Sequence, residues 1–239
     1  MITKRRQFLL AGAALGIGGV AGRTLLAAEP AQPDEDVSAV EDLMREHGVL
    51  RRILLGYEEC VRRLETKTKN DDVLSAGAFL LRSASLVQEF VEQYHEQLEE
   101  KFLFPEFEKH GPLVPLVKVL REQHAAGRAL TKTILLLTDS PMFGKFSTTP
   151  ESRRKAVDCS KAFIRMYGPH AAREDTVLFP AFKKILSAKQ LDKLGDKFEE
   201  EENHRFGADG FGKMVETVAA IEKELGIYDL GQFTPKKTP

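Results

Sequence analysis

Between Val40 and Leu64 the apolar positions recur in alternating steps of three and four: Val40, Leu43, Leu50, Leu54, Tyr57, Val61 and Leu64. That spacing draws one stripe along a helix that presses against a partner. The stripe holds one anomaly, because His47 occupies a position where an apolar residue belongs. Ser38 and Glu41 have the spacing of a capping box, so the helix is expected to start there. A second helix follows Asn70-Asp71-Asp72 and runs to about Glu99 or beyond, with Pro105 bending or ending it. His110-Gly111-Pro112 reads as a stop and restart, and a third helix spans about Leu113 to Leu137. After a loop from Asp139 to Thr149, the pair Thr149-Pro150 caps a fourth helix that reaches about Leu186, with a kink expected at Gly168-Pro169. Ser187 and Gln190 open two shorter helices, 188–205 and 212–225, and Gly226 is a suitable C-cap. The tail from Ile227 onward is expected to be irregular. Long helices on short connections predict an all-α, up-down-up-down four-helix bundle over residues 38–186, with a C-terminal helical extension and tail at 187–239.

The first 28 residues do not belong to that pattern. Lys4, Arg5 and Arg6 precede an uncharged run from Gln7 to Gly22, and Ala27-Ala28 offers a small-residue cleavage region. The run Lys4-Arg5-Arg6-Gln7-Phe8-Leu9-Leu10 resembles a twin-arginine export signal. Rich in glycine and alanine, the apolar run is short for a membrane span, which needs roughly 20 residues. Export to the periplasm with cleavage near Ala28 is therefore expected, without stable membrane insertion afterwards. Residues 29–37 follow as a polar linker containing Pro30 and Pro33.

The formal net charge of −1 carries no basic block outside the signal, which argues against a nucleic-acid partner. Two cysteines are present, Cys60 and Cys159. If helices one and four run antiparallel, both lie at a similar height, with Cys159 on its helix seam and Cys60 one place off. Pairing stays open.

The stretch His95-Glu96-Gln97-Leu98-Glu99-Glu100-Lys101-Phe102-Leu103-Phe104-Pro105-Glu106-Phe107 repeats in outline as His170-Ala171-Ala172-Arg173-Glu174-Asp175-Thr176-Val177-Leu178-Phe179-Pro180-Ala181-Phe182. The histidine, the glutamate four residues on, the acid after it, Leu-Phe-Pro and the last phenylalanine coincide. A solitary histidine precedes each copy at a similar distance, His47 and His124, and Leu43, His47 and Arg51 match Leu120, His124 and Arg128. The chain thus reads as two copies of one helical hairpin.

Residues four apart share a helix face, so His95 with Glu99, and His170 with Glu174, each present a nitrogen and a carboxylate to one point. A buried glutamate is costly unless a cation compensates it, and a carboxylate can bridge two cations. His47, His95, Glu99, His124, His170 and Glu174 together form the expected ligand set of a dinuclear site. Imidazole and carboxylate donors without thiolate suit two iron ions, with manganese or a mixed pair as alternatives. Six donors under-fill two octahedral ions and leave room for solvent and a small ligand.

The order His, His-x-x-x-Glu, His, His-x-x-x-Glu resembles the hemerythrin-like, or HHE cation-binding, family over residues 38 to about 186. The resemblance implies a bridged non-haem di-iron centre held by those six residues, with the glutamates bridging, that takes a small ligand such as dioxygen, nitric oxide or peroxide, or handles iron. Oxygen-carrying hemerythrins add a histidine and an aspartate late in the motif. The corresponding part of this chain has no second histidine, which weighs against reversible oxygen carriage. A di-iron oxidase or peroxidase is the alternative, and a metal-free structural bundle the second. Glu96 and His204 are weaker candidate ligands, Tyr94 and Tyr167 candidate outer hydrogen-bond donors, and Phe102, Phe104, Phe107, Phe179 and Phe182 are expected in the core.

Overall fold

Ser38 caps the first helix reciprocally: Glu41 N–H donates to its hydroxyl, and its own N–H donates to the Glu41 carboxylate. The computed structural model describes residues 37–66, 69–111, 113–138 and 149–235, so the stretch that resembles an export signal and nearly all of the expected linker lie outside the described residues. Six helices account for most of what is described. They are α1 (Ala39–Thr66), α2 (70–110), α3 (Val114–Thr138), α4 (150–185), α5 (Ala188–Phe206) and α6 (Gly210–Leu225). A single 3₁₀ turn, Leu230–Phe233, interrupts the otherwise irregular tail. No strand occurs among the described residues, and none of their helices is long and apolar enough to cross a membrane.

In the bundle, α1 packs on α2 and α4, and α3 packs on the same two, which closes the expected ring of four. The expected stripe of α1 is buried along its whole length, from Val40 through His47 to Leu64. The thiols of Cys60 and Cys159 are free, and Cys60 is fully buried.

Proline acts differently from expectation. Pro105 neither ends α2 nor breaks it, and the helix runs on to His110. The widened π turns lie instead at Glu99–Leu103 and at Glu174–Leu178, each followed directly by Phe-Pro. Proline has no N–H to bond the carbonyl four residues back, and its ring crowds that carbonyl, so the preceding turn opens. Pro169 lies within the first α-helical stretch of α4, Pro150–Arg173, which continues past it. A further π stretch spans Val87–His95.

Helices α5 and α6 lie against α1, and α6 also touches α2. The face they cover is a second stripe of α1: Ala39, Asp42, Glu46, Val49, Ile53, Gly56 and Cys60, all buried. Arg52 donates two hydrogen bonds to Glu222 of α6, and Arg63 donates one to the Leu225 carbonyl.

Candidate metal centre

The repeated hairpin brings its chemistry to one level of the bundle. His47 stands on α1, His95 and Glu99 on α2, His124 on α3, His170 and Glu174 on α4, and all six are between 0 and 4 % exposed. Glu99 and Glu174 each stand on the first residue of a π turn, and His95 ends another. Widened turns of this kind recur at functional sites.

The Nε2 atoms of His47 and His95 approach to 3.0 Å. Two nitrogens bound at right angles to one ion, each about 2.1 Å away, stand roughly this far apart. Glu174 Oε2 lies 3.3 Å from His47 Nε2 and 3.1 Å from His170 Nε2. Glu99 mirrors it, with one oxygen 3.8 Å from His95 Nε2 and the other 3.4 Å from His124 Nε2. Each glutamate therefore stands between a histidine of one hairpin and a histidine of the other. Ligand atoms of Glu99, His124, His170 and Glu174 all fall within 4.8 Å of one another, as do those of His47, His95 and Glu99.

Each of these four histidines turns Nε2 inward and uses Nδ1 outward. Nδ1–H of His47 donates to Asp175 at 2.7 Å, that of His95 to Glu46 at 2.7 Å, that of His124 to Glu100 at 2.9 Å and that of His170 to Gln123 Oε1 at 2.9 Å. A carboxylate can only accept, so the partner assigns the tautomer and leaves the Nε2 lone pair free toward a metal. These partners follow the duplication. Glu100 and Asp175 are the acids after the ligand glutamates, and each serves a histidine of the opposite hairpin. Glu46 and Gln123 immediately precede the solitary histidines. Arg51 holds Asp175, and Arg128 holds Glu100. Phe179 stacks on His47 and Phe104 on His124, each at 5.5 Å, so the Leu-Phe-Pro phenylalanines wall the site as well as filling the core. None of these outer partners was foreseen. The doubled acid and the matched arginine were the signals available in the sequence.

Burial dominates the electrostatics of these donors. Both oxygens of Glu99 and Nε2 of His124 are buried with no hydrogen-bond partner, and neither oxygen of Glu174 makes a well-directed hydrogen bond. Such orphans are expensive in a core unless a charge compensates them. Burial pushes the Glu99 carboxyl well above the ordinary range, and the Glu174 charge adds to the push. Burial acts on Glu174 too, yet His170 and His47 outweigh it and hold that carboxyl far below the usual range. Burial opposes a charge on His47, but the hydrogen bond to Asp175 and the nearby Glu174 carboxylate overcome it and raise the imidazole to about 9. Burial lowers His124 to about 4 despite Glu100, and it also holds His95 well below the usual imidazole range, helped by the neighbouring His47. The donor set, nitrogen and carboxylate atoms buried around one level of the bundle, fits a metal cation.

The weaker candidates separate. Glu96 is fully buried beside the site, where it accepts from Tyr167 at 2.5 Å and from Arg128 at 2.8 Å. His204 does not reach the centre. It is exposed on α5, in a surface pocket with Lys101, Phe102 and Glu201, on the helix face that carries Glu200 into solvent while Glu202 turns inward. Tyr167 packs 5.2 Å from the His170 ring, as an outer donor should, whereas Tyr94 packs edge-on against Phe206 of α5. The structure also brings Glu202 of α5 to Asp42 and Glu46 of α1, with ligand atoms of the three carboxylates within 4.8 Å.

The sequence profile of the hemerythrin HHE cation-binding domain matches residues 38–182, which hold all six of these residues. The chain belongs to the hemerythrin HHE cation-binding family. The chain is 47 % identical over 205 residues to the uncharacterized protein Rv1995 of Mycobacterium tuberculosis, an alignment that covers 85 % of this chain and 77 % of the relative. The uncharacterized protein Mb2018 of Mycobacterium bovis matches to the same extent. No solved structure matches. Membership makes this a helical protein of a cation-binding family, and its buried His/Glu clusters can hold a metal.

Proposed function

We propose that this hemerythrin-like bundle binds two non-haem iron ions through His47, His95, Glu99, His124, His170 and Glu174, and presents them to a small ligand such as dioxygen or nitric oxide, or handles iron itself. One observation carries the reading: four inward Nε2 atoms surround two buried glutamates whose oxygens have no satisfactory protein partner. Bound iron supplies the Lewis acidity and redox capacity that the side chains lack. The chain's own contribution is positioning. Asp175, Glu46, Glu100 and Gln123 fix the imidazole rings, and Phe104 and Phe179 keep water from two of them. In this reading the chain is exported by the twin-arginine route, folded and metallated, and works in the periplasm after cleavage near Ala28.

Metal analysis of protein purified from its native compartment tests the proposal. Two iron ions per chain and near-ultraviolet charge-transfer absorption are expected. His95→Ala and Glu174→Ala should each lose most of the metal and lower the thermal midpoint. Full metal content in both variants overturns the site.

A second reading, a di-iron oxidase or peroxidase, draws on the Tyr167–Glu96 hydrogen bond beside His170, since buried protic groups at a metal site suit proton-coupled chemistry. Stopped-flow addition of peroxide or dioxygen to the reduced protein separates the two. Turnover supports the enzyme, and single-step saturation supports the binder.

A further inference from the structure

At the level of ligands, the duplication makes the two halves of the centre alike. His47 and His95 stand on one side, His124 and His170 on the other, with Glu99 and Glu174 between them. The outer hydrogen bonds are not alike. His47 and His124 are both backed by carboxylates, Asp175 and Glu100. His95 is backed by the Glu46 carboxylate at 2.7 Å, but His170 by the Gln123 amide oxygen at 2.9 Å. Glu46 and Gln123 occupy the same place in the two hairpins, immediately before the solitary histidine, so the difference between them is one of charge.

A carboxylate accepting Nδ1–H raises the donor strength of Nε2 and offsets the charge of a bound cation, and an amide oxygen does less of both. Burial enlarges the contrast, because Glu46 is 2 % exposed whereas Gln123 is half-buried and partly screened by water. Each side also has an arginine on one of its backing acids, Arg51 on Asp175 and Arg128 on Glu100, so the contrast rests on Glu46 against Gln123.

We propose that the two metal positions are inequivalent, the His47/His95 position taking up a divalent cation first and more tightly, with Glu46 as the positioning residue that sets the order. This rests on the dinuclear reading above and goes beyond it by assigning a filling order to the two halves.

The test is anaerobic titration of the metal-free full chain with Co(II), followed by calorimetry and visible absorption. Two steps are expected, the first at least about 10-fold tighter, since outer-shell carboxylates of this kind are worth roughly 10–100-fold in affinity. Glu46→Gln should weaken the first step toward the second and leave the second in place. Gln123→Glu should tighten the second step. His170→Ala should retain the tight step and His95→Ala should lose it, which locates the position filled first. Far-ultraviolet circular dichroism checks each metal-free variant for folding, and Gln123→Glu decides the matter if Glu46→Gln fails to fold. Two equal steps in the parent protein, or an order unchanged in both exchange variants, overturns the inference while leaving a dinuclear site. Total uptake below two ions per chain overturns the dinuclear reading and the inference with it.

Discussion

Gly127 marks the edge of the metal centre by what it lacks. A Cβ there would fall 2.1 Å from the Tyr167 hydroxyl and 2.7 Å from its ring, so only glycine lets that phenol reach Glu96. Gly127→Ala should therefore destabilise the protein by about 1–3 kcal/mol through overpacking. The expected readouts are a lower urea midpoint and a change in Tyr167 absorption, and an unchanged midpoint removes the steric argument. Gly127 lies on the buried face of α3, four residues before Thr131 and three after His124. The reason for a glycine there was not legible in the sequence, because the clash is with a residue 40 positions away that only packing brings near. The six candidate ligands were legible because their spacing repeats. Their outer partners Glu46, Gln123, Glu100 and Asp175 were not, since an acid or amide next to a ligand usually faces water.

At the scale of elements, α1 carries two buried faces rather than one. The stripe through Val40, His47 and Leu64 belongs to the bundle, and the stripe through Asp42, Glu46 and Cys60 belongs to α5 and α6. Both follow the same three-and-four spacing, but polar Asp42, Glu46 and Gly56 disguised the second. The fork between Arg52 and Glu222 pins α6 across that face, with Glu222 itself buried. Arg52→Ala leaves a buried carboxylate unpaired and should cost about 1–3 kcal/mol. Hydrogen exchange should show the loss first in residues 210–225, with the bundle protected as before; uniform loss of protection contradicts independent docking of the extension.

At the scale of the whole molecule, folding is expected to couple to protons and, if the proposed site binds metal, to metal with the opposite sign. His47 is raised from 6.5 to about 9, so the fold binds its proton more strongly than the unfolded chain does. That stabilisation is complete below 6.5 and is lost as pH rises through about 9. Glu99, raised well above its ordinary value, acts in the same direction. His95 and His124 are lowered, and their penalty for staying neutral has disappeared once pH exceeds 6.5, so they leave the higher window clear. Metal-free protein should thus lose thermal stability between neutral pH and about 9. Metal binding needs His47 and Glu99 deprotonated, so affinity should rise over the same window and each ion should release protons. Thermal unfolding with and without Co(II) at the two ends of the window checks both slopes, and parallel slopes would contradict the linkage.

Periodicity, capping pairs and the doubled His-x-x-x-Glu were enough to determine the helices, their ring and which histidines and glutamates are candidate ligands, because each depends on residues within a few turns of one another. Tertiary structure alone decided which acids steady which imidazoles, how proline opens the turns that carry Glu99 and Glu174, and that α5 and α6 bury a second face of α1. Those outcomes depend on contacts between residues up to 170 positions apart, as in the Arg52–Glu222 pair, where local spacing holds no information.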